Sequence, residues 1–197
     1  MASEFRGSNN SKNDLRKQLI ERRRSLPQSR RASSDAAIRQ QVVQMCEQTR
    51  SQRIAGFVAH AGEPDLMPAL EKLHQTGHET CLPVVRDRRM HFCRWQPDAR
   101  MAANRFGIPE PIDGDNLEPK ALTLVFVPLV GFAPDGGRLG MGAGFYDRAF
   151  AFCRERIGQL PRLIGVAYSV QEVETLPTDE WDVPLDGIIT EKGLRWF

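Results

Sequence analysis

Leu122-Thr-Leu-Val-Phe-Val-Pro-Leu-Val-Gly-Phe-Ala-Pro-Asp-Gly-Gly-Arg-Leu-Gly-Met-Gly-Ala-Gly-Phe-Tyr-Asp-Arg148 decides how this chain folds. Its first part, 122–130, is the most apolar stretch of the sequence and reads as a strand covered on both faces, hence central in a sheet. The second part places Gly140, Gly142 and Gly144 on alternate positions ahead of a helix-forming segment that opens at Phe145. Glycines so placed keep Cβ atoms away from a backbone that an anion must approach closely. Neither G-x-x-x-x-G-K-[ST] nor G-x-G-x-x-G is satisfied, so a simple tight turn is the competing reading. The company of the glycines favours phosphate binding. Arg138 and Arg148 flank them with fixed positive charge, and Asp147 offers a carboxylate suited to Mg²⁺ beside a nucleotide's phosphates.

Outward from this segment, helical and strand patterns alternate. Ser11 followed by Asp14 resembles a capping box, and Leu15, Leu19 and Leu26 recur near helical spacing until Pro27, which predicts a first helix over 12–25. A second helix opens at Ser33 or Ser34 with Ile38, Val42 and Met45 on one face. Residues 53–59 read as a short buried strand, followed by a loop at 60–65 and a helix carrying Leu66, Leu70 and Leu73, stopped at Gly77. Strands follow at 79–85 and 90–95, then a polar, proline-rich connection over 96–120. Beyond the glycine loop come a helix at 145–157, a strand at 162–169, a short helix at 171–176 and a last strand at 187–190. The alternation predicts an α/β fold: a single-domain three-layer sandwich, Rossmann-like, with a mixed, mostly parallel sheet and helices on both faces. Ligands of such sheets gather at the carboxyl ends of strands, so the loops at 62–64 and 131–144 are expected to open onto one crevice.

The 197 residues suffice for one well-buried core, assigned to 11–197; residues 1–10 have turn-like composition and read as disordered or as an extraneous leader. No run approaches the roughly 18 apolar residues of a membrane span, and no apolar segment follows the basic N-terminus, which predicts a cytoplasmic protein without a membrane partner. Cys46, Cys81, Cys93 and Cys153 lack metal-ligand spacing and sit in apolar segments, as buried thiols do. Net charge is +2, but residues 1–39 carry ten Lys or Arg against four Asp or Glu. Arg22, Arg23, Arg24, Arg30 and Arg31 lack interleaved aromatics, so a solvated helix face is favoured over a nucleic-acid patch. A monomer is expected.

Three blocks carry a family resemblance: VPLVGFAPDGGRLGMGAGFYDR at 127–148, FGIPEP at 106–111 and LPTDEWDVPLDGIIT at 176–190. Their order and spacing resemble the 5-formyltetrahydrofolate cyclo-ligases, also called 5,10-methenyltetrahydrofolate synthetases, over nearly the whole chain from Lys12 onward. The resemblance implies ATP- and Mg²⁺-dependent cyclisation of 5-formyltetrahydrofolate to 5,10-methenyltetrahydrofolate, with ADP and phosphate released after phosphorylation of the formyl oxygen. No protein nucleophile is required, and the chain has no G-x-S-x-G elbow and no H-E-x-x-H. Phosphoryl transfer runs on positioning and charge neutralisation.

Position by position, the resemblance places ATP along Arg138, Leu139, Gly140, Met141, Gly142, Ala143, Gly144, Phe145 and Tyr146, with Met141 to Phe145 also lining the folate site. Arg138, Tyr146 and Arg148 form the implied catalytic set, and Asp147 and Asp182 the metal-associated carboxylates. Lys12 and Arg16 share a helix face and are implied to reach ATP, although charge patterning alone reads them as surface. Glu63 is implied at the pterin end, where a carboxylate can accept two hydrogen bonds from an aminopyrimidine edge. Phe57, Val58 and Phe106 are implied walls for the flat rings. Two positions depart from the family pattern: Met141, and Ala143, where alanine resists a positive φ. A non-catalytic folate- or nucleotide-binding protein on the same fold, and an enzyme acting on a sugar phosphate, are the alternatives.

Overall fold

The strand Leu124–Pro128 shows why the sheet is buried on both sides. Leu124 and Phe126 point into one hydrophobic cluster, Val125 and Val127 into another, the period-2 alternation of a pleated strand with apolar residues on both faces. The computed structural model describes residues 2–49, 51–154 and 161–197, with 2–11 described as backbone only. In chain order the elements are α1 (Ala2–Arg24), α2 (Gln28–Thr49), β1 (Arg53–Ala55), α3 (Met67–Gln75), β2 (Glu79–Arg86), β3 (Arg89–Arg94), β4 (Met101–Ala103), β5 (Pro109–Pro111), β6 (Asn116–Leu117), β7 (Leu124–Pro128), β8 (Gly131–Phe132), β9 (Arg138–Leu139), α4 (Phe145–Ala149), β10 (Arg162–Val166), β11 (Gly187–Thr190) and β12 (Gly193–Trp196).

Eight strands form one mixed sheet in the order β12-β11-β10-β7-β1-β2-β3-β6. The central pairs β11–β10, β10–β7, β7–β1 and β1–β2 are parallel, and the outer strands β12, β3 and β6 extend it antiparallel. The short ribbons β4–β5 and β8–β9 stand outside it. α2 and α3 cover one face, packing Ile38, Val42, Met45, Leu70 and Leu73 on Ile54, Leu82, Leu124 and Ile164. The other face is thinner. Phe150, Val183 and Leu185 pack there with Phe145, Tyr146 and Phe152 on Ala55, Val125 and Leu163. No helix among the described residues is long and apolar enough to cross a membrane.

The expected fold class holds, with local corrections. α1 begins at Ala2, so Ser11 and Asp14 lie inside the helix and do not start it. α2 begins at Gln28, directly after Pro27. The helix expected over 145–157 is only the five residues of α4 and a 3-10 turn at Ala151–Cys153; its part at 155–157 lies outside the described residues. The helix expected at 171–176 is replaced by a 3-10 turn at Ser169–Gln171, because the Gln171 side chain is committed elsewhere: its amide donates to the Leu129 and Val130 carbonyls, and its oxygen accepts from the Tyr168 N–H. The connection over 96–120 contains β4, β5 and β6, and β12 follows the strand taken as last; strands of two to four residues, most of them partly exposed, carry no legible alternation. Cys46, Cys81 and Cys93 are buried, whereas Cys153 is half-buried; burial pushes the Cys46 and Cys81 thiols up to about 12.

Strand order sets the position of the site. From β1 the chain moves to β2 on one side and returns through β7 on the other. The loops leaving the carboxyl ends of β1 and β7 therefore diverge and leave a crevice between them.

Candidate active site

A cavity of about 820 Å³ occupies that crevice. The loop after β7 supplies one wall: the β8–β9 ribbon, the segment 140–144 and α4. Two glycines there are demanded by backbone. Gly142 has φ +95°, with the Arg16 guanidinium 3.5 Å from where a Cβ would stand, and Gly144 starts α4 with φ +66°. Outside glycine, only Ala61 and Asp87 among the described residues take a positive φ. Ala143 therefore sits in ordinary backbone space, and the alanine introduces no strain into the loop.

Positive charge concentrates at this end. The Arg138 side chain is nearly buried and its Nη2 donates to Asp147 Oδ1 at 2.5 Å, while its Nη1 is buried without a partner. Burial lowers the guanidinium's proton affinity, and the facing Asp147 and Asp182 carboxylates oppose the shift. Lys12, only 6% exposed, places Nζ 2.5 Å from Asp179 Oδ2 and 3.6 Å from Asp182 Oδ2. Arg16 Nε donates to the Gly140 carbonyl at 2.9 Å and Nη1 to Asn13 Oδ1 at 2.7 Å. Charge patterning had put Lys12 on the surface; α1 instead lays it into the crevice.

Asp147 Oδ1 also accepts the Val183 N–H at 3.2 Å, and Asp182 Oδ2 accepts the Asp179 N–H at 2.8 Å. Each carboxylate keeps its second oxygen outside these bonds. Among the described residues no three acidic, Cys or His side chains converge as a cage. Such a donor set fits Mg²⁺ in its usual mode, bound through one or two carboxylates together with substrate phosphates.

The other end is apolar and holds one buried acid. Glu63 follows β1, is 9% exposed, and accepts the His60 N–H at Oε2 (3.0 Å); its Oε1 lies 3.8 Å from Arg23 Nη1. Burial pushes its carboxyl up to about 7, more than the His60 N–H and the Arg23 charge pull it down. Tyr146 lines the same cavity; its hydroxyl is buried without a partner, and burial raises its pKa so that it stays a donor. Val58 is half-buried at the wall, whereas Phe57 packs largely into the core. Leu139 likewise packs beneath the loop with Leu19 and Val130.

Aromatic rings form the mouth. Phe106 is 44% exposed and meets Phe145 edge-on at 5.9 Å, with the Arg105 guanidinium 4.8 Å from the Phe106 ring and that of Arg148 5.1 Å from Phe145. Arg148 is thus at the rim, its Nε donating to the Arg88 carbonyl at 3.3 Å. Every site residue expected from the sequence lines this one cavity.

Several lining residues were not foreseen. Glu110, inside FGIPEP, accepts from the Val85 N–H (2.9 Å), Asn104 Nδ2 (2.7 Å) and Arg86 Nη1 (3.1 Å), which ties the β4–β5 ribbon to β2 and so places Phe106. Asp179 and Trp181 border the cavity beside Asp182. Arg23, assigned to a solvated face, is fully buried. An acid set between Pro109 and Pro111 was the one available signal for Glu110; local sequence offered none for Arg23.

Residues 8–191 match the 5-formyltetrahydrofolate cyclo-ligase family. The chain belongs to this family. A 5-formyltetrahydrofolate cyclo-ligase of Haemophilus influenzae is 34% identical over 180 residues, covering 89% of this chain and 95% of the relative, and that of Escherichia coli K12 is 36% identical over 149 residues, covering 73% and 80%. Among solved structures, the 5,10-methenyltetrahydrofolate synthetase of Aquifex aeolicus superposes with a TM-score of 0.80 at 33% identity, over 94% of this chain and 92% of that one. The synthetase of Mycoplasma pneumoniae gives 0.73 at 28% identity, over 91% and 98%. Family membership and fold therefore agree with what the three sequence blocks implied.

Proposed function

We propose that this protein closes 5-formyltetrahydrofolate to 5,10-methenyltetrahydrofolate at the expense of ATP. The observation that carries the reading is the cavity's polarity: one continuous space runs from Lys12, Arg16, Arg138 and the glycine segment at one end to Phe106, Phe145, Tyr146 and buried Glu63 at the other. A polyanion suits the first end and a flat heterocycle the second. Membership of the cyclo-ligase family supports the same pairing of substrates.

In this reading the formyl oxygen attacks the γ-phosphorus of ATP: an O–P bond forms and the bond to the ADP oxygen breaks. N10 then adds to the formyl carbon, loses its proton, and phosphate leaves with the C–O electron pair to give the methenyl cation. The chain's groups bind and orient. Arg138 Nη1, unpartnered and buried, is free to donate to a phosphoryl oxygen, with Lys12, Arg16 and the backbone N–H groups of 140–144 around it. Tyr146, held protonated by burial, donates from its hydroxyl to a reacting oxygen. Glu63 accepts from the aminopyrimidine edge, Phe106 and Phe145 flank the rings, and Arg148 adds positive charge at the rim. Mg²⁺, held by Asp147 and Asp182, would neutralise charge on the phosphates. In the same reading the protein acts as a monomer in the cytoplasm on small molecules, without nucleic-acid or membrane partners, through a single unit spanning 11–197.

The non-catalytic alternative drew on Met141 and Ala143 alone. Ala143 needs no positive φ and Met141 is half exposed at the cavity edge, so neither obstructs ATP. The test is direct: purified protein with 5-formyltetrahydrofolate and MgATP should develop the near-ultraviolet absorbance of the methenyl product, and omission of ATP should abolish it. Folded protein that gives no ATP-dependent signal refutes the reading.

A further inference from the structure

Arg23 is the largest fully buried side chain among the described residues, and no step above uses it. A buried guanidinium is expensive unless its donors are engaged, so its partners define its purpose. Nη1 donates to the Leu129 carbonyl at 3.1 Å and Nη2 to the Ala61 carbonyl at 3.0 Å, while Nε is buried without a partner. Leu129 follows β7 and Ala61 follows β1, so one side chain joins the two walls of the crevice. Ala61 is also one of the two non-glycine residues with positive φ, at +51°, in the bend that delivers Glu63. Nη1 lies 3.8 Å from Glu63 Oε1.

The helix that carries Arg23 links it to the other end of the site. Lys12, Arg16, Leu19 and Arg23 follow one another at spacings of four, three and four, which places them on one face of α1. Lys12 and Arg16 contact Asp179 and Gly140, Leu19 packs on Val130 and Leu139, and Arg23 reaches Glu63. Eleven residues of helix span about 16 Å at roughly 1.5 Å per residue. α1 thus lies along the cavity as a strut touching both ends.

We propose that Arg23 is a positioning residue: it holds Glu63 in the orientation that receives the aminopyrimidine edge of the folate and, through α1, sets that carboxylate relative to Lys12 and Arg16 at the phosphate end. The inference rests on the folate reading given above. The charged and titratable groups facing the pair are Tyr146 from α4 toward Glu63, and Arg24 from α1, Arg31 from α2 and Tyr168 around Arg23. None of these offsets the burial of Glu63; the Arg23 charge does, pulling its proton affinity down against burial.

Two variants separate charge from geometry. Arg23→Met keeps an unbranched apolar stem about as far as Nε and removes the charge and all its donors; Arg23→Lys keeps the charge but cannot reach both carbonyls and the carboxylate together. For Arg23→Met we expect the folate KM to rise roughly tenfold or more, with the ATP KM within about twofold. The acid limb of kcat/KM for the folate, where Glu63 must ionise, should move to higher pH by roughly one to three units. Arg23→Lys should raise the folate KM while leaving the acid limb within about half a unit of wild type. If Arg23→Met does not fold, the KM split in Arg23→Lys decides. Wild-type folate KM and acid limb in a folded Arg23→Met protein, equal rises in both KM values, or loss of fold in both variants, seen by circular dichroism, would each overturn the proposal. Absence of turnover in wild type would instead refute the folate reading, and the inference with it.

Discussion

Glu63→Gln should make the protein more stable above neutral pH while disabling it. The carboxyl sits at about 7 in the folded chain against an ordinary 4.5, a difference worth about 3 kcal/mol. The sign follows from which state releases its proton first. Below pH 4.5 the group is protonated in both states and exacts no penalty. Between 4.5 and 7 the unfolded chain ionises while the folded chain does not, so folding loses stability as pH rises; above 7 the whole penalty applies. Glutamine does not titrate, and its oxygen can still accept the His60 N–H. The gap between the two proteins should therefore rise from roughly 1 kcal/mol at pH 5 to about 3 kcal/mol at pH 8 in favour of the variant, or roughly 6–12 °C in melting temperature at pH 8 for a chain of this size. Urea unfolding of both proteins at pH 5, 6, 7 and 8 measures it. Glutamine replaces one of the carboxylate's two acceptor oxygens by an amide donor and removes the negative charge that faces the aminopyrimidine edge, so kcat/KM for the folate should fall roughly a hundredfold or more in the same variant. A stability gap that does not change across this range would refute the claim that Glu63 is buried against its charge.

Arg138→Ala removes the unpartnered Nη1 and the cation facing Asp147; turnover should fall by roughly a hundred- to a thousandfold with the circular-dichroism spectrum unchanged, and activity within tenfold of wild type would remove Arg138 from the site. Gly142→Ala forces a side chain onto φ +95° beside Arg16 and should cost about 1–2 kcal/mol in denaturant titration while raising the ATP KM. Ala143→Gly, by contrast, relieves nothing: unchanged turnover and a loss of about 0.5–1 kcal/mol are expected, and a gain in activity would contradict the backbone assignment. Phe106→Ala should leave stability within about 0.5 kcal/mol, since the ring is half exposed, yet raise the folate KM without moving the ATP KM; equal effects on both would displace Phe106 from the folate end.

Much of the site was legible because its parts are contiguous in the chain. Residues 122–148 hold strand, loop and helix start in order, and local sequence marks each: unbroken apolar residues for β7, alternate glycines for the loop, flanking arginines and Asp147. The alternation of strand and helix patterns was sufficient for the fold class and for the expectation that the loops after β1 and β7 open onto one crevice. Elements that failed were those whose local signal was overridden. Gln171 bridges Tyr168 to Leu129 and Val130 where periodicity expected a helix, and β4, β5 and β6 owe their existence to side-chain ties such as Glu110 and to an edge strand that needed a partner.

Arg22, Arg23 and Arg24 mark the boundary between the two sources of information. By composition they are three equal charges at the end of a helix, and nothing local distinguishes them. In the folded chain Arg22 and Arg24 are exposed and Arg23 is sealed between two strand ends and Glu63. Sequence by itself determined the helix, the sheet and the glycine loop, and its three blocks carried the family resemblance that implies the reaction class. Tertiary structure alone decided which side of α1 faces the crevice, that Lys12 lies against Asp179 and Asp182, and that Glu63 holds its proton near neutrality. The physical reason is that burial and charge proximity belong to residues distant in the chain, and strand order, not local propensity, brings them within a few ångströms.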